Sequence, residues 1–93
     1  MYKITAYTLA RAKELGVTVK PSKTKGKKID VFKDGIKMAS IGGIGYMDYP
    51  TYIKTKGLEY ANERRRLYLK RHTNPDIKDG KKTPSYYAKV LLW

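Results

Sequence analysis

Cysteine is absent from this 93-residue chain, which removes a disulfide framework and any Cys-based zinc site. The absence fits a reducing compartment. Histidine occurs once, at His72, so neither a multi-histidine metal site nor a triad pairing histidine with cysteine can be assembled. Carboxylates are sparse as well, eight in all, and Asp30, Asp34, Asp76 and Asp79 fall at hairpin or turn positions. No DxD or ExxH pair suggests a metal, and no motif asks for a cofactor, so the expectation is none of either. No apolar run approaches the roughly 18 residues of a membrane span. The opening MYKITAYTLARAK has no apolar centre and no small-residue cleavage site, and is not expected to act as a secretory signal.

Positive charge is what the chain has in excess. Twenty-one Lys and Arg stand against eight Asp and Glu, a formal net charge of +13. Concentrating that charge on a small body costs self-repulsion unless an anion relieves it. The sequence pI of about 10.0 carries the electrostatic footprint of nucleic-acid binding. An anionic membrane surface or an acidic protein face comes second. Nine tyrosines, against one Phe and one Trp, supply rings that pack in a core or stack on bases while offering a hydroxyl.

The charge peaks at residues 58–72, LEYANERRRLYLKRH, where Arg64, Arg65, Arg66, Lys70 and Arg71 share one expected helix with Tyr60, Leu67, Tyr68 and Leu69. Glu59 and Glu63 near its start and Lys70, Arg71 and His72 near its end suit the helix dipole. Thr73-Asn74-Pro75 is the expected stop. Guanidinium groups grip phosphate bidentately and stack on planar groups, giving affinity without sequence information. Two lysine-rich segments, residues 21–28 with Lys25, Lys27 and Lys28, and residues 76–82 with Lys81 and Lys82, read as solvated turn-rich loops that can reach phosphate. Arg65, Arg66 and Lys70 are expected to face outward. Arg64, Tyr68, Arg71 and His72 fall near the inner stripe, where some can anchor the fold.

Around this helix the pattern predicts a small α+β domain. Residues 8–15 form a helix capped by Thr8 and stopped by Gly16, and residues 17–21 run extended. KIDVFK and IKMASI flank Asp34-Gly35 and make a hairpin, with Ile29 and Val31 on one apolar face and Ile36 and Met38 on the other strand's. Gly42, Gly43 and Gly45 lack the spacing of the Walker loop and of the dinucleotide fingerprint, and read as a sheet-to-helix corner. Asp48 caps a short helix that tolerates Pro50 and ends at Gly57. Thr83-Pro84 opens a last helix whose Tyr86, Val90 and Trp93 recur at i, i+4 and i+7. Its terminal Leu-Leu-Trp is expected to dock on the hairpin and on the inner side of the arginine helix.

One enzymatic pattern comes near. Gly43-Ile44-Gly45-Tyr46, Tyr52-Ile53 and Arg64 imitate the order of a GIY-YIG nuclease. Lys54 stands where that motif needs glycine, and no glutamate lies beyond Glu63 to hold a metal. A nuclease-like enzyme therefore ranks last.

Gly42, Gly45, Tyr46, Asp48 and Tyr49 at the corner are followed by Arg64, Tyr68, Arg71 and His72 on the helix. Leu91, Leu92 and Trp93 then close the chain. In that order they resemble small basic proteins of nucleocytoplasmic large DNA viruses, of the chlorella-virus and mimivirus sort. The resemblance covers residues 28–93, leaves the N-terminal helix and basic loop of residues 1–27 outside, and implies source more than mechanism. Tyr86-Tyr87 and Pro50 depart from that pattern.

The expectations are a single α+β domain, a β-hairpin or small antiparallel sheet packed against about three helices. Its role is expected to be non-enzymatic: a virion-associated viral protein that binds nucleic-acid phosphates with low sequence specificity, DNA ahead of RNA. The binding residues expected are Arg64, Arg65, Arg66, Lys70, Arg71, Lys25, Lys27, Lys28, Lys81 and Lys82. Gly45, Tyr46, Asp48, Tyr49, Tyr68, His72 and Trp93 are expected to be structural. A minor capsid or internal scaffold protein on an acidic partner is the alternative. The virion, host nucleus or cytoplasm is the expected location.

Overall fold

Two Asp-Gly pairs fold the chain back on itself in the computed structural model, which describes residues 2–73 and 75–93. At Asp34 (φ 52°) and Gly35 (φ 78°) both central residues are left-handed, the backbone a two-residue hairpin turn requires. The turn joins strand β2 (Lys27–Lys33) to β3 (Ile36–Gly43), and β1 (Thr18–Pro21) adds antiparallel to β2, giving the order β1-β2-β3. Asp79 (φ 54°) and Gly80 (φ 76°) repeat the device between β4 (Ile77–Lys78) and β5 (Lys81–Lys82). Residues 76–82, expected to be a loop, are thus a miniature hairpin.

The sheet's apolar face is made by Ile29 opposite Ile41 and Val31 opposite Ala39, all four buried. Ile36 and Met38, expected to share one face of β3, do not: Met38 packs against the core and Ile36 does not. A register shift after Val31 pairs Phe32 with Lys37 and leaves Met38 as the extra residue, so the alternation changes phase there. Ile36 ends up 67% exposed.

Helix α1 (Ala6–Leu15) begins earlier than expected, capped by Thr5, whose side chain accepts from the Thr8 backbone N–H. Thr8 is instead fully buried and donates its hydroxyl to the Leu91 carbonyl at 2.8 Å. Arg11 Nε donates to the Val90 carbonyl at 2.9 Å, and the Tyr7 hydroxyl to that of Trp93 at 3.3 Å. Carbonyls in the last turn of a helix have no intrahelical partner, and α1 supplies them for α4 (Pro84–Leu92). The N-terminal helix is therefore built into the hydrophobic core: Ala12 joins Ile29, Val31, Ala39, Ile41, Tyr87, Leu91 and Leu92 in one buried cluster.

Thr83 caps α4 by accepting from the Tyr86 N–H, with Pro84 in the first turn, as the sequence indicates. Its buried stripe is Tyr87, Leu91 and Leu92; Tyr86, Val90 and Trp93 pack only at the margin. The helix packs on β3 and on α1. At that contact Gly42 has φ 77°, and a Cβ there would meet Leu92 Cδ1 at 2.8 Å and Lys28 Cδ at 3.1 Å. Gly42→Ala should lower stability by about 2–4 kcal/mol, combining left-handed strain with overpacking. Gly45→Ala, which meets no neighbouring atom, should cost less when the two variants are compared by urea titration.

Asp48 caps α2 (Tyr49–Lys56), its Oδ1 accepting from Thr51 N–H at 3.1 Å. Gly57 (φ 91°) ends α2 and starts α3 (Leu58–Arg71). The two helices form a hairpin closed by fully buried Ala61 and by the Tyr49 hydroxyl donating to Asn62 Oδ1 at 2.6 Å. The stop expected at Thr73-Asn74-Pro75 includes Asn74, which lies outside the described residues. The described residues thus form a single small α+β domain of four helices, a three-stranded antiparallel sheet and a two-stranded hairpin.

Candidate nucleic-acid interface

The arginine-rich helix divides its cations among different tasks. Arg64 lies over the Tyr52 ring, 5.6 Å from its centroid, and Arg65 over Tyr49 at 4.9 Å. Both are half-buried, and each contact fastens α3 to α2. Arg65 was expected to face outward with Arg66 and Lys70, but the Tyr49 ring it covers belongs to the fold. Arg66 is exposed and grips Glu63 with two hydrogen bonds of 2.6 and 3.2 Å. Their contact lowers the Glu63 pKa and raises that of Arg66. Such a surface pair contributes little stability, but it occupies the guanidinium. Lys70 and Arg71 are exposed, with no acidic partner among the described residues.

Lys28 is not a loop lysine. It is 5% exposed on β2 and its ammonium sits 3.1 Å from Asp48 Oδ2, also donating to the Tyr46 carbonyl. The Tyr2 hydroxyl donates to the same carboxylate oxygen at 2.7 Å. Burial opposes ionisation of Asp48, yet the bonds from Thr51 and Tyr2 and the charge of Lys28 outweigh it and hold its pKa below the usual carboxylate value. Burial raises the Tyr2 pKa, and the anionic Asp48 raises it further. Lys28 and Asp48 therefore position the corner. Asp30 is a second buried acid: burial is outweighed by Ser22, Ser40, the Lys23 N–H and Lys37, which bring its pKa to about 2.

The corner and helices α2, α3 and α4 enclose a cleft of about 680 Å³. Lys27, Ser40 and the Gly42–Gly43 backbone line it from the sheet, with Tyr46 from the corner. Arg64, Tyr68, Arg71, His72 and Trp93 line it from the helices. The size is that of a small-ligand site. The acid at its edge, Asp48, is already engaged by Lys28, so Lys27, Arg64 and Arg71 leave the cleft electropositive. Arg64 Nε is buried and has no hydrogen-bond partner among the described residues. Such an orphaned donor is costly unless something accepts from it.

Three of the lining rings form a column. Tyr68 is sandwiched between His72 (4.0 Å, 20°) and Trp93 (4.4 Å, 9°). His72 Nδ1 lies 3.0 Å from the Tyr68 carbonyl, which can only accept, so that nitrogen carries the proton. The Tyr68–Trp93 stack joins α3 to the end of α4. His72 remains exposed at the column's end, and Tyr46 is 78% exposed above Gly43, where a Cβ would stand 2.9 Å from its ring.

Of the other expected binding residues, Lys25 is exposed in the turn before β2, and Lys81 and Lys82 are exposed on β5, where Lys82 covers Tyr86. None of these three lines the cleft. The sequence indicated separate cationic tracts; that Lys27 meets Arg64 and Arg71 across the Gly-rich corner follows from the tertiary packing. Among the described residues no three histidine, aspartate or glutamate side chains come together to hold a metal ion. No helix among them is long and apolar enough to cross a membrane. Comparison with protein-family models, with curated proteins and with solved structures returns no match.

Proposed function

We propose that the chain is a non-enzymatic binder of nucleic-acid phosphates, with DNA favoured over RNA and low sequence specificity. The observation that carries this is the convergence of Lys27, Arg64 and Arg71 on one cleft whose adjoining carboxylate is already neutralised. Lys70 extends the positive surface along α3, and Lys25, Lys81 and Lys82 add cations elsewhere. The order of the corner, helix and terminal motifs supports a basic protein packaged with the genome of a large DNA virus. In solution, replacing Lys27 and Arg71 together by glutamate should weaken binding to a fluorescent DNA oligonucleotide at least about tenfold in low salt. Both side chains are exposed, so circular dichroism should show the fold intact. Unchanged affinity in a folded double variant would count against the proposal.

A specific feature favours a second role. Leu58 and Leu69 share one face of α3 and are both exposed, an apolar face a protein contact could use. A minor capsid or scaffold protein would use them beside the cations on an acidic partner. Retention of the chain in capsid shells emptied of DNA would favour that role.

A further inference from the structure

We infer that the cleft seats an unpaired nucleotide of a single strand, its base stacked on the exposed end of the His72–Tyr68–Trp93 column and its phosphate held by Lys27, Arg64 and Arg71. The inference rests on the phosphate-binding role proposed above and specifies the form of nucleic acid. Positive charge alone would serve duplex and single strand alike. The aromatic lining separates them, because a duplex keeps its base faces stacked on each other, whereas an unpaired base can offer a face to a protein ring.

The geometry fits that division of labour. Tyr68 has both faces occupied, so a further ring can extend the column only from an outer member. Trp93 is also approached by Tyr52 at 6.0 Å, while His72 is exposed to the cleft. Its Nδ1 proton is committed to the Tyr68 carbonyl, which fixes the ring's orientation and leaves Nε2 for the ligand. Tyr46, exposed on the corner and lining the same cleft, supplies a second ring free to close over a bound base. Arg64, which lines the same cleft, adds a guanidinium charge for the phosphate.

Trp93 is the only tryptophan and lines the cleft, so its emission reports on occupancy there. The test compares a short oligothymidylate with a blunt duplex of equal length by anisotropy, following Trp93 fluorescence in parallel. The single strand should bind more tightly and change the Trp93 emission. Tyr46→Ala and His72→Ala should each lose about tenfold in single-strand affinity and little in duplex affinity, the size expected for one stacked base. Both positions are exposed, and near-wild-type urea midpoints would show that the fold survives. Equal binding of both forms, with silent Trp93 emission and unaffected variants, would overturn the cleft assignment while leaving phosphate binding in place. No binding of either form in low salt would overturn both.

Discussion

Asp48→Ala should lower the unfolding free energy by about 3–5 kcal/mol, the range for breaking a buried ion pair from one side. In a 93-residue domain this is a large part of a total stability of roughly 5–14 kcal/mol. Asp48 is 1% exposed and answers three donors: the Lys28 ammonium at 3.1 Å, the Tyr2 hydroxyl at 2.7 Å and the Thr51 N–H that starts α2. Its removal leaves a buried ammonium uncompensated and ties the N-terminus, the sheet and the helical hairpin together less firmly. Asp48→Asn should recover only the capping part, about 1 kcal/mol. The measurement is a urea titration at neutral pH, read as a fall in midpoint with an unchanged slope. A loss below about 1 kcal/mol for the alanine variant would contradict the assignment.

The same carboxylate fixes a pH dependence. Its folded pKa lies below the unfolded value, so its stabilisation is complete above the ordinary carboxylate range and is lost as pH falls through the lower folded pKa. The gap between wild type and Asp48→Ala should therefore narrow on acidification.

The local chemistry of the chain was legible wherever a structure needs only neighbours. Asp34-Gly35 specified its hairpin, Asp48 and Thr83-Pro84 specified their helix starts, and the terminal Leu-Leu-Trp docked where an apolar end had to go. Asp79-Gly80 carried the same turn signal, but flanks of two residues, three of the four lysines, gave no strand alternation to support it. Ile36 and Met38 were expected to share a face, but a bulge changes the phase of β3 without changing its composition, leaving Met38 against the core and Ile36 in solvent. Lys28 was indistinguishable from Lys25 and Lys27 in a lysine-rich stretch; its partner is twenty residues away and Tyr2 farther still. The division of the arginines was half legible. Arg64 on the inner stripe followed from helical spacing, whereas Arg65 over Tyr49 depends on how closely α2 returns against α3 at Ala61. The column through His72, Tyr68 and Trp93 joins residues that are neighbours only after α4 has docked.

Salt should govern the proposed interaction with nucleic acid. Each phosphate neutralised releases a condensed counterion, so the logarithm of the binding constant falls linearly with the logarithm of salt concentration, by about 0.7 per contact on a single strand. Lys27, Arg64 and Arg71 alone give a slope of about −2, which is roughly a twenty-fold loss between about 50 and 200 mM salt. Engagement of Lys25, Lys70, Lys81 and Lys82 as well would steepen it to about −5 and the loss to about a thousandfold. Arg65 and Arg66 do not line the cleft, and Arg66 is engaged by Glu63, so both should add less than their number suggests. The most direct measurement is the affinity of the intact chain for a fluorescent oligothymidylate across that salt range. The expected result is measurable binding in low salt with a slope of −2 or steeper. Absence of binding in low salt, or an affinity indifferent to salt, would contradict phosphate recognition by this cleft.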